Sequence, residues 1–135
     1  MKAIEIWDLR GQVFMTLGDI LAPLPQRVLR SAWTVSDYVT PKNGEEYFEV
    51  HSTGDDRISR VANTEERLSG DALASIAKAA PGVVWATFRA YDPSDAPIPW
   101  IVLHAIDSTF WRCETRDIPS RQALMKSFKD VRLET

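Results

Sequence analysis

Three long apolar runs, each containing tryptophan, follow one another in the second half of the chain. They are Val83–Tyr91, Pro99–Asp107 and Thr109–Arg116, and short segments carrying Asp, Pro and Ser separate them. β-Branched and aromatic residues favour extended backbone because their side chains pack well on a pleated surface. Asp, Pro and Ser are typical of the turns between strands. The three runs therefore predict an antiparallel meander at the centre of the fold.

The segments outside the meander add helices and shorter strands. Before the meander, the periodicities predict a strand at Lys2–Asp8, a helix at Gln12–Leu21, and strands at Val28–Val39 and Glu45–Ser52 joined through Asn43-Gly44. A turn at Thr53–Asp56, an edge strand at Arg57–Val61 and a helix capped by Ser69 and ending near Ala80 are predicted next. After the meander, the sequence predicts a helix opening at Pro119 and a strand at Asp130–Leu133. Runs of strands with segregated helices are typical of the α+β class. We expect one α+β domain over residues 1–135, with an antiparallel sheet of about six strands and helices packed on one face.

The order of these elements suggests an internal duplication. The blocks Val28–Ala80 and Val83–Lys129 each read as three strands followed by a helix. The two blocks share little sequence beyond this pattern, and a matching order of elements arises readily without duplication. A duplicated three-strand-plus-helix unit is therefore a hypothesis on which no further step rests.

Composition places the chain among ordinary globular proteins. It has 135 residues, of which 44% are hydrophobic and 26% charged, so neither disorder nor a fibrous repeat is indicated. The single cysteine, Cys113, rules out an intramolecular disulfide and favours a reducing compartment. Acidic residues within Met1–Asp8 are unlike a secretory signal, and no uncharged run reaches the length of a membrane span. We expect a soluble cytoplasmic protein without a membrane partner.

Charge is unevenly distributed along the chain. The net charge is −3, which argues against a surface-wide footprint for nucleic acid. From Pro41 to Asp71, eight acids stand against four bases, a net −4, whereas from Arg112 to Arg132 six bases stand against three acids, a net +3. Two solvated faces explain this pattern simply. The alternative is a dipolar surface that orients a protein partner; the oligomeric state stays open.

The central hairpin predicts where the one histidine of the meander points. If Asp107-Ser108 is a two-residue turn, His104 pairs with Trp111, and directly opposite residues share a face. That face is apolar apart from the histidine: Trp100, Val102, His104, Ile106, Trp111 and Cys113. An imidazole on such a wall can act as acid, base or ligand. We favour a neutral core histidine with both nitrogens hydrogen-bonded, because no ligand residue neighbours it in sequence.

Other chemistry-bearing residues are isolated. His51, His104 and Cys113 match no zinc spacing, and Cys113 has no base beside it. The carboxylates Asp92 and Asp95 flank Pro93-Ser94, a pattern that a tight turn explains. Neither a phosphate-binding glycine loop nor a nucleophile elbow is present in the sequence. We therefore predict no catalytic residue, no metal and no cofactor.

Two functions remain open. The one we favour is a small non-catalytic protein-binding domain, of the immunity or adaptor type, that recognises a macromolecule through a charged, aromatic surface. The acids Glu45, Glu46 and Glu49 are its candidate partner-binding residues, and exposed tryptophans near Arg89 or Arg112 would mark a hot spot. The alternative is a small-ligand-binding domain or minor enzyme whose apolar pocket is lined by His104, Trp100 and Trp111.

Overall fold

The computed structural model describes residues 2–10, 13–51, 56–79 and 82–134. These residues form five helices: α1 Leu17–Leu21, α2 Arg27–Arg30, α3 Arg57–Val61, α4 Gly70–Ala79 and α5 Ile118–Ser127. The strands are β1 Ile4–Ile6, β2 Leu9–Arg10, β3 Val13–Phe14, β4 Ala32–Ser36, β5 Tyr38–Val39, β6 Glu46–Tyr47, β7 Glu49–His51, β8 Leu68–Ser69, β9 Gly82–Tyr91, β10 Ile101–Ile106, β11 Phe110–Thr115 and β12 Val131–Leu133. The α+β class is confirmed, since the helices pack against a large antiparallel sheet. Within the described ranges, every helix is too short or too polar to traverse a lipid bilayer.

The large sheet is built around β9. Its strand order is β12-β1-β11-β10-β9-β4-β8, with β7 also paired to β9, and all pairs are antiparallel. The predicted meander is confirmed as β9, β10 and β11. Two small hairpins, β2-β3 and β5-β6, lie outside the large sheet.

One edge of β9 is shared by two strands. Ser36 of β4 lies opposite Thr87, and Glu49 of β7 lies opposite Trp85, which is only two residues before Thr87 in β9. Residues 37–48 therefore leave the sheet and return to the same edge. Within this excursion Tyr38 pairs with Tyr47 and Val39 with Glu46, so the predicted hairpin is confirmed only over two residues of each strand, whereas β4 and β7 pair with β9. Gly44 in its turn takes a positive φ of 70°.

A single hydrophobic cluster covers one face of the sheet. Its largest fully buried members are Trp33, Phe88, Ile4, Ile6, Leu17, Ile20, Ile58, Leu73, Ile76, Ile101, Leu103 and Leu124. The indole N–H of Trp33 donates to the carbonyl of Val28 at 2.8 Å, and that of Trp111 donates to the carbonyl of Met15 at 2.8 Å. Both buried donors are thus satisfied inside the core.

The register of the central hairpin differs from the prediction by one residue. Its loop holds three residues, 107–109, and Ile106 lies opposite Phe110. Asp107 and Ser108 both adopt positive φ, 54° and 53°, which short polar side chains tolerate. A slip of one residue moves a strand's whole side-chain set to the other face. The predicted single apolar face is therefore wrong: Trp111 and Cys113 point into the core, and His104 points to the opposite face.

Three local predictions are also wrong. Arg57–Val61 is helix α3 rather than an edge strand, because Ile58 and Val61 are both buried at the three-residue spacing of one helical turn. The strand expected from Val28 begins at Ala32, after the short helix α2. The helix expected over Gln12–Leu21 starts only at Leu17, where Thr16 and Asp19 form a capping box; Gln12 lies outside the described residues.

The remaining predictions have mixed outcomes. The Ser69 hydroxyl accepts a hydrogen bond from the Ala72 N–H at 3.1 Å, which confirms it as the cap of α4. The predicted turn at Thr53–Asp56 lies almost wholly outside the described residues. The two blocks of the proposed duplication differ in topology: the second is a meander, whereas β4 and β7 of the first both pair with β9.

Candidate partner-binding surface

An aromatic stack lies on the sheet face opposite the core. The ring of Trp85 stacks on that of Tyr47, with centroids 4.6 Å apart, and on that of Tyr38 at 5.7 Å. The β5-β6 hairpin brings the two tyrosines over β9. Tyr38 is buried, whereas Tyr47 and Trp85 stay half-buried. Part of the stack is therefore open to a partner.

Three exposed carboxylates lie within two residues of Tyr47 along the chain. Glu45, Glu46 and Glu49 are all exposed, as expected for candidate binding residues. The Asn43 amide donates to Glu45 at 2.8 Å, and the Tyr47 hydroxyl also donates to Glu45. This hydrogen bond is the main reason that the pKa of Tyr47 is raised, so the phenol stays protonated and keeps donating. We call Glu45, Glu46, Tyr47, Glu49 and Trp85 the hairpin surface.

The imidazole of His104 lies beside the same stack. Its Nδ1 is 2.8 Å from Thr87 Oγ1, its Nε2 is 3.4 Å from Glu114 Oε1, and its ring contacts Tyr38 edge-on at 5.3 Å. The hydrogen bond from His104 lowers the pKa of Glu114, opposed by partial burial. Both ring nitrogens thus face polar partners, as in the interpretation of His104 as a structural residue. His104 thus packs against Tyr38, and Tyr38 in turn packs against Trp85 of the hairpin surface.

The three residues of the predicted ligand pocket do not come together. Trp111 is buried on the core face, opposite to His104. Trp100 precedes β10, donates its indole N–H to Ser31 Oγ at 2.9 Å, and is covered by the guanidinium of Arg27 at 4.1 Å. It lines a cleft of about 670 Å³, and neither His104 nor Trp111 is among the lining residues. The prediction that Trp100, His104 and Trp111 share one apolar face of the sheet is therefore wrong.

The cysteine is buried in the core rather than poised for chemistry. Cys113 is fully buried, and this burial raises the pKa of its thiol to about 12. A thiol with such a pKa is almost entirely protonated at neutral pH, and the protonated form is not the nucleophile. Among the described residues, no three of His, Cys, Asp and Glu are grouped as metal ligands would be.

Strand order separates the two charged segments of the chain. The acidic segment includes β7 and β8, on the side of β9 that also carries β4. The basic segment forms β11, α5 and β12, on the far side of β10. On the face opposite the core, Arg112 of the basic segment lies 3.7 Å from Glu5 and 3.4 Å from Glu134. The hairpin surface therefore lies toward the acidic end of the sheet.

Arginines contact two of the three partly exposed tryptophans. Arg27 covers Trp100, and Arg132 lies over the ring of Trp7 at 4.2 Å. The two arginines that the sequence singled out are occupied elsewhere: Arg89 donates to Ser36 Oγ at 2.6 Å, and Arg112 pairs with acids. Trp85 is the partly exposed tryptophan that stacks with the tyrosines of the acidic hairpin.

The aromatic members of the hairpin surface were not predicted from the sequence. Tyr38 and Tyr47 lie opposite each other in the β5-β6 hairpin, but a two-residue turn at Asn43-Gly44 would have paired Tyr47 with Thr40, because the observed loop holds the four residues 41–44. Comparison with family models, with curated proteins and with solved structures finds no match for this chain. The hairpin surface is consequently defined by this chain's own residues and their geometry.

Proposed function

We propose that this protein is a small non-catalytic binding domain, of the immunity or adaptor type, and that its hairpin surface recognises a basic patch on a partner protein. The observation that carries the proposal is the juxtaposition of three exposed carboxylates with the half-buried Tyr47–Trp85 stack. Partner-binding hot spots are enriched in tyrosine and tryptophan, which supply large contact areas. Charges at the rim of such anchors steer a partner of opposite sign.

The chemistry of the surface favours arginine or lysine as the partner's contact residues. Aromatic faces attract cations, and this attraction is stronger where neighbouring carboxylates share the charge of the incoming group. Glu46 directly precedes Tyr47 on β6, and Glu49 of β7 lies opposite Trp85, so acids precede and follow Tyr47 along the chain. A guanidinium placed on Tyr47 or Trp85 would reach a carboxylate.

The surface is held in place before any partner arrives. The Thr40 N–H donates to the Glu45 carbonyl at 2.9 Å and the Gly44 N–H donates to the Thr40 carbonyl at 3.0 Å, which closes the hairpin. Tyr38 packs between Trp85 and His104 and anchors it to the sheet. Preorganised contacts lose less conformational entropy on binding, so fewer contacts are needed for a given affinity.

Affinity capture with two charge-matched variants tests the proposal. The hairpin variant carries Glu45→Lys, Glu46→Lys and Glu49→Lys; the control carries Glu65→Lys, Glu66→Lys and Asp95→Lys, which are exposed acids outside the hairpin surface. Proteins captured from the native cell extract are identified by mass spectrometry, purified, and titrated calorimetrically against each variant. We expect the hairpin variant to lose at least about tenfold in affinity, and the control to stay within about threefold. Equal affinity of the two variants would count against the hairpin surface.

A second measurement separates a specific patch from general charge attraction. Replacing Tyr47 by Ala removes the open face of the stack and leaves the three carboxylates in place. The proposal expects weaker binding at every salt concentration, because the Tyr47 ring contributes packing and a short-range cation–π contact that salt screens little, whereas the lysine variants lose most at low salt. Binding that depends only on net charge would be unaffected by Tyr47→Ala.

A further inference from the structure

A second concave site lies on the helical side of the molecule, away from the hairpin surface. Helices α1, α2 and α4, with the loop between α1 and α2, enclose a cleft of about 540 Å³. Its lining is mainly apolar and includes Leu21, Leu24, Val28, Leu29, Trp33 and Leu73. Small-molecule sites have volumes of about 300–1,000 Å³ and predominantly apolar walls. The cleft is therefore large enough for a small organic ligand.

Three polar side chains of this lining, those of Trp33, Thr16 and Asp19, are already hydrogen-bonded within the protein. The Trp33 indole donates to the Val28 carbonyl. In the capping box of α1, Thr16 Oγ1 accepts from the Asp19 N–H at 3.1 Å, and Asp19 Oδ2 accepts from the Thr16 N–H at 3.0 Å. A polar ligand body would have to give up its hydration without gaining these groups as partners. The body of the occupant is thus expected to be hydrocarbon.

One cation lies at the mouth of the cleft. Lys78, in the last turn of α4, is exposed and lines the cleft, and within the described ranges it forms neither an ion pair nor a hydrogen bond. The α1 end of the cleft meets this turn, because a Cβ on Gly18 would lie 3.8 Å from the Ala77 carbonyl oxygen. The carboxylate of Asp19 also lines the cleft but is held by the capping box. An anionic head group would find its complement at Lys78.

We propose that this cleft binds a free medium-chain fatty acid, with the alkyl chain among the leucines and the carboxylate at Lys78. An alkyl chain suits the apolar lining, and one carboxylate matches the one ammonium among the lining residues. The site is on the side of the sheet opposite to the hairpin surface and is independent of partner binding there. No covalent step is involved.

Titration of the whole protein with a matched ligand series tests the assignment. The probes are octanoate, nonanoate, decanoate, decanol and decyltrimethylammonium, all below their aggregation concentrations, with calorimetry and tryptophan fluorescence as readouts. Each added methylene that is buried should tighten binding about fourfold. Decanoate should bind more tightly than decanol, and decyltrimethylammonium more weakly than decanol, because only the carboxylate attracts Lys78. Failure of decanoate to bind, or equal affinities for the three ten-carbon probes, would overturn the proposal.

Two variants and one control locate the site. Lys78→Met keeps the aliphatic stem and should weaken decanoate binding about three- to fivefold, the magnitude of an exposed ion pair, without changing decanol binding. Lys126→Met is the control, since Lys126 is an exposed lysine in the last turn of α5. Ala74→Trp should fill the cleft and weaken both ligands at least about tenfold. Equal effects of Lys78→Met and Lys126→Met would refute the head-group assignment.

Two further measurements keep these outcomes interpretable. Thermal unfolding of Ala74→Trp shows whether the variant folds, and if it does not, the less bulky Ala74→Leu replaces it at the same position. Vesicles of phosphatidylcholine with phosphatidylglycerol then test the membrane alternative by sedimentation. Sedimentation of the protein with vesicles, together with no binding of free decanoate, would show that the apolar cleft meets a lipid surface and would overturn the fatty-acid assignment.

Discussion

Replacing Gly70 by Ala should destabilise the protein strongly, because α4 begins in contact with the backbone of α2. The Gly70 N–H donates to the Ser31 carbonyl at 2.8 Å. A Cβ at this position would lie 2.1 Å from the Val28 carbonyl oxygen and 2.5 Å from the Leu29 Cα. These are backbone atoms, so no side-chain rotation relieves the overlap. The whole start of α4 would have to move away from α2.

The size of the effect follows from two opposing contributions. Ala is better than Gly in a helix by about 1 kcal/mol. Overpacking that forces a backbone shift costs about 1–3 kcal/mol, and occasionally more. Because the overlap at Gly70 involves several backbone atoms, the upper end of this range applies, and we expect a net loss of about 2 kcal/mol in the free energy of unfolding. The shift would also loosen the Val28 carbonyl, which accepts the buried Trp33 indole.

Gly18 provides the matched control. A Cβ there would lie 3.6 Å from Thr16 Oγ1 and 3.8 Å from the Ala77 carbonyl oxygen, which are ordinary contacts. Gly18→Ala in α1 should therefore be neutral or stabilising by up to about 1 kcal/mol. Urea unfolding followed by tryptophan fluorescence measures both variants by linear extrapolation. Unchanged stability of Gly70→Ala, or an equal loss in Gly18→Ala, would refute the close-contact argument.

Three further predictions test the core and the polar face. The thiol of Cys113 should stay unmodified by a thiol reagent at about pH 8 in the folded protein and react fully in urea, because burial raises its pKa to about 12; rapid reaction of the folded protein would contradict this. Since folding lowers the pKa of Glu114 below its ordinary 4.5, its stabilisation is complete above that pH and is lost as the pH falls through the folded-state pKa. In Glu114→Gln, the free energy of unfolding should fall less steeply as the pH is lowered, and the difference from the unsubstituted protein should be less than about 1 kcal/mol because the side chain is half exposed. A steeper fall in the variant would contradict the prediction. Trp33→Phe should lower the free energy of unfolding by about 3 kcal/mol, because it leaves the Val28 carbonyl without its indole donor and opens a void in the core. Trp100→Phe should lower it by about 1 kcal/mol or less, because Trp100 is only partly buried. Similar losses for the two variants in urea titrations would contradict this difference.

Sequence patterns predicted the strands that contain continuous apolar runs. They did not predict the pairing register, which changes when the turn is longer by one residue. β9, β10 and β11 were predictable because their apolar runs are long: β10 carries Ile101, Leu103 and Ala105 on its core face, and Val102 and Ile106 on the face that holds His104. The register of β10 against β11 was not, because Asp107-Ser108 lacks the Asn-Gly pair that specifies a two-residue turn. That single residue moved Trp111 away from His104, and with it the predicted ligand pocket.

Short helices were the other source of error. Helices α2 and α3 span only four and five residues, too few for a helical period to be distinguished from strand alternation. Both are stabilised by tertiary packing, Val28 and Ile58 being buried in the shared core. Of the candidate site, the exposure of Glu45, Glu46 and Glu49 was predictable from a charged hairpin. The position of Trp85 was not, because pairing of β7 with β9 is irregular between Glu49 and Val50.

The route of residues 37–48 separates the hairpin surface from the strands that build the large sheet. The chain rejoins β9 only two positions from where it left. The β5-β6 hairpin is therefore an insertion between β4 and β7, which pair along the same edge of β9. Its turn can lengthen, shorten or exchange its charges while the hydrogen-bond ladders on either side stay in register. Substitutions confined to this insert would therefore change the hairpin surface and leave the pairing of the large sheet unaltered, as loops vary on a constant framework.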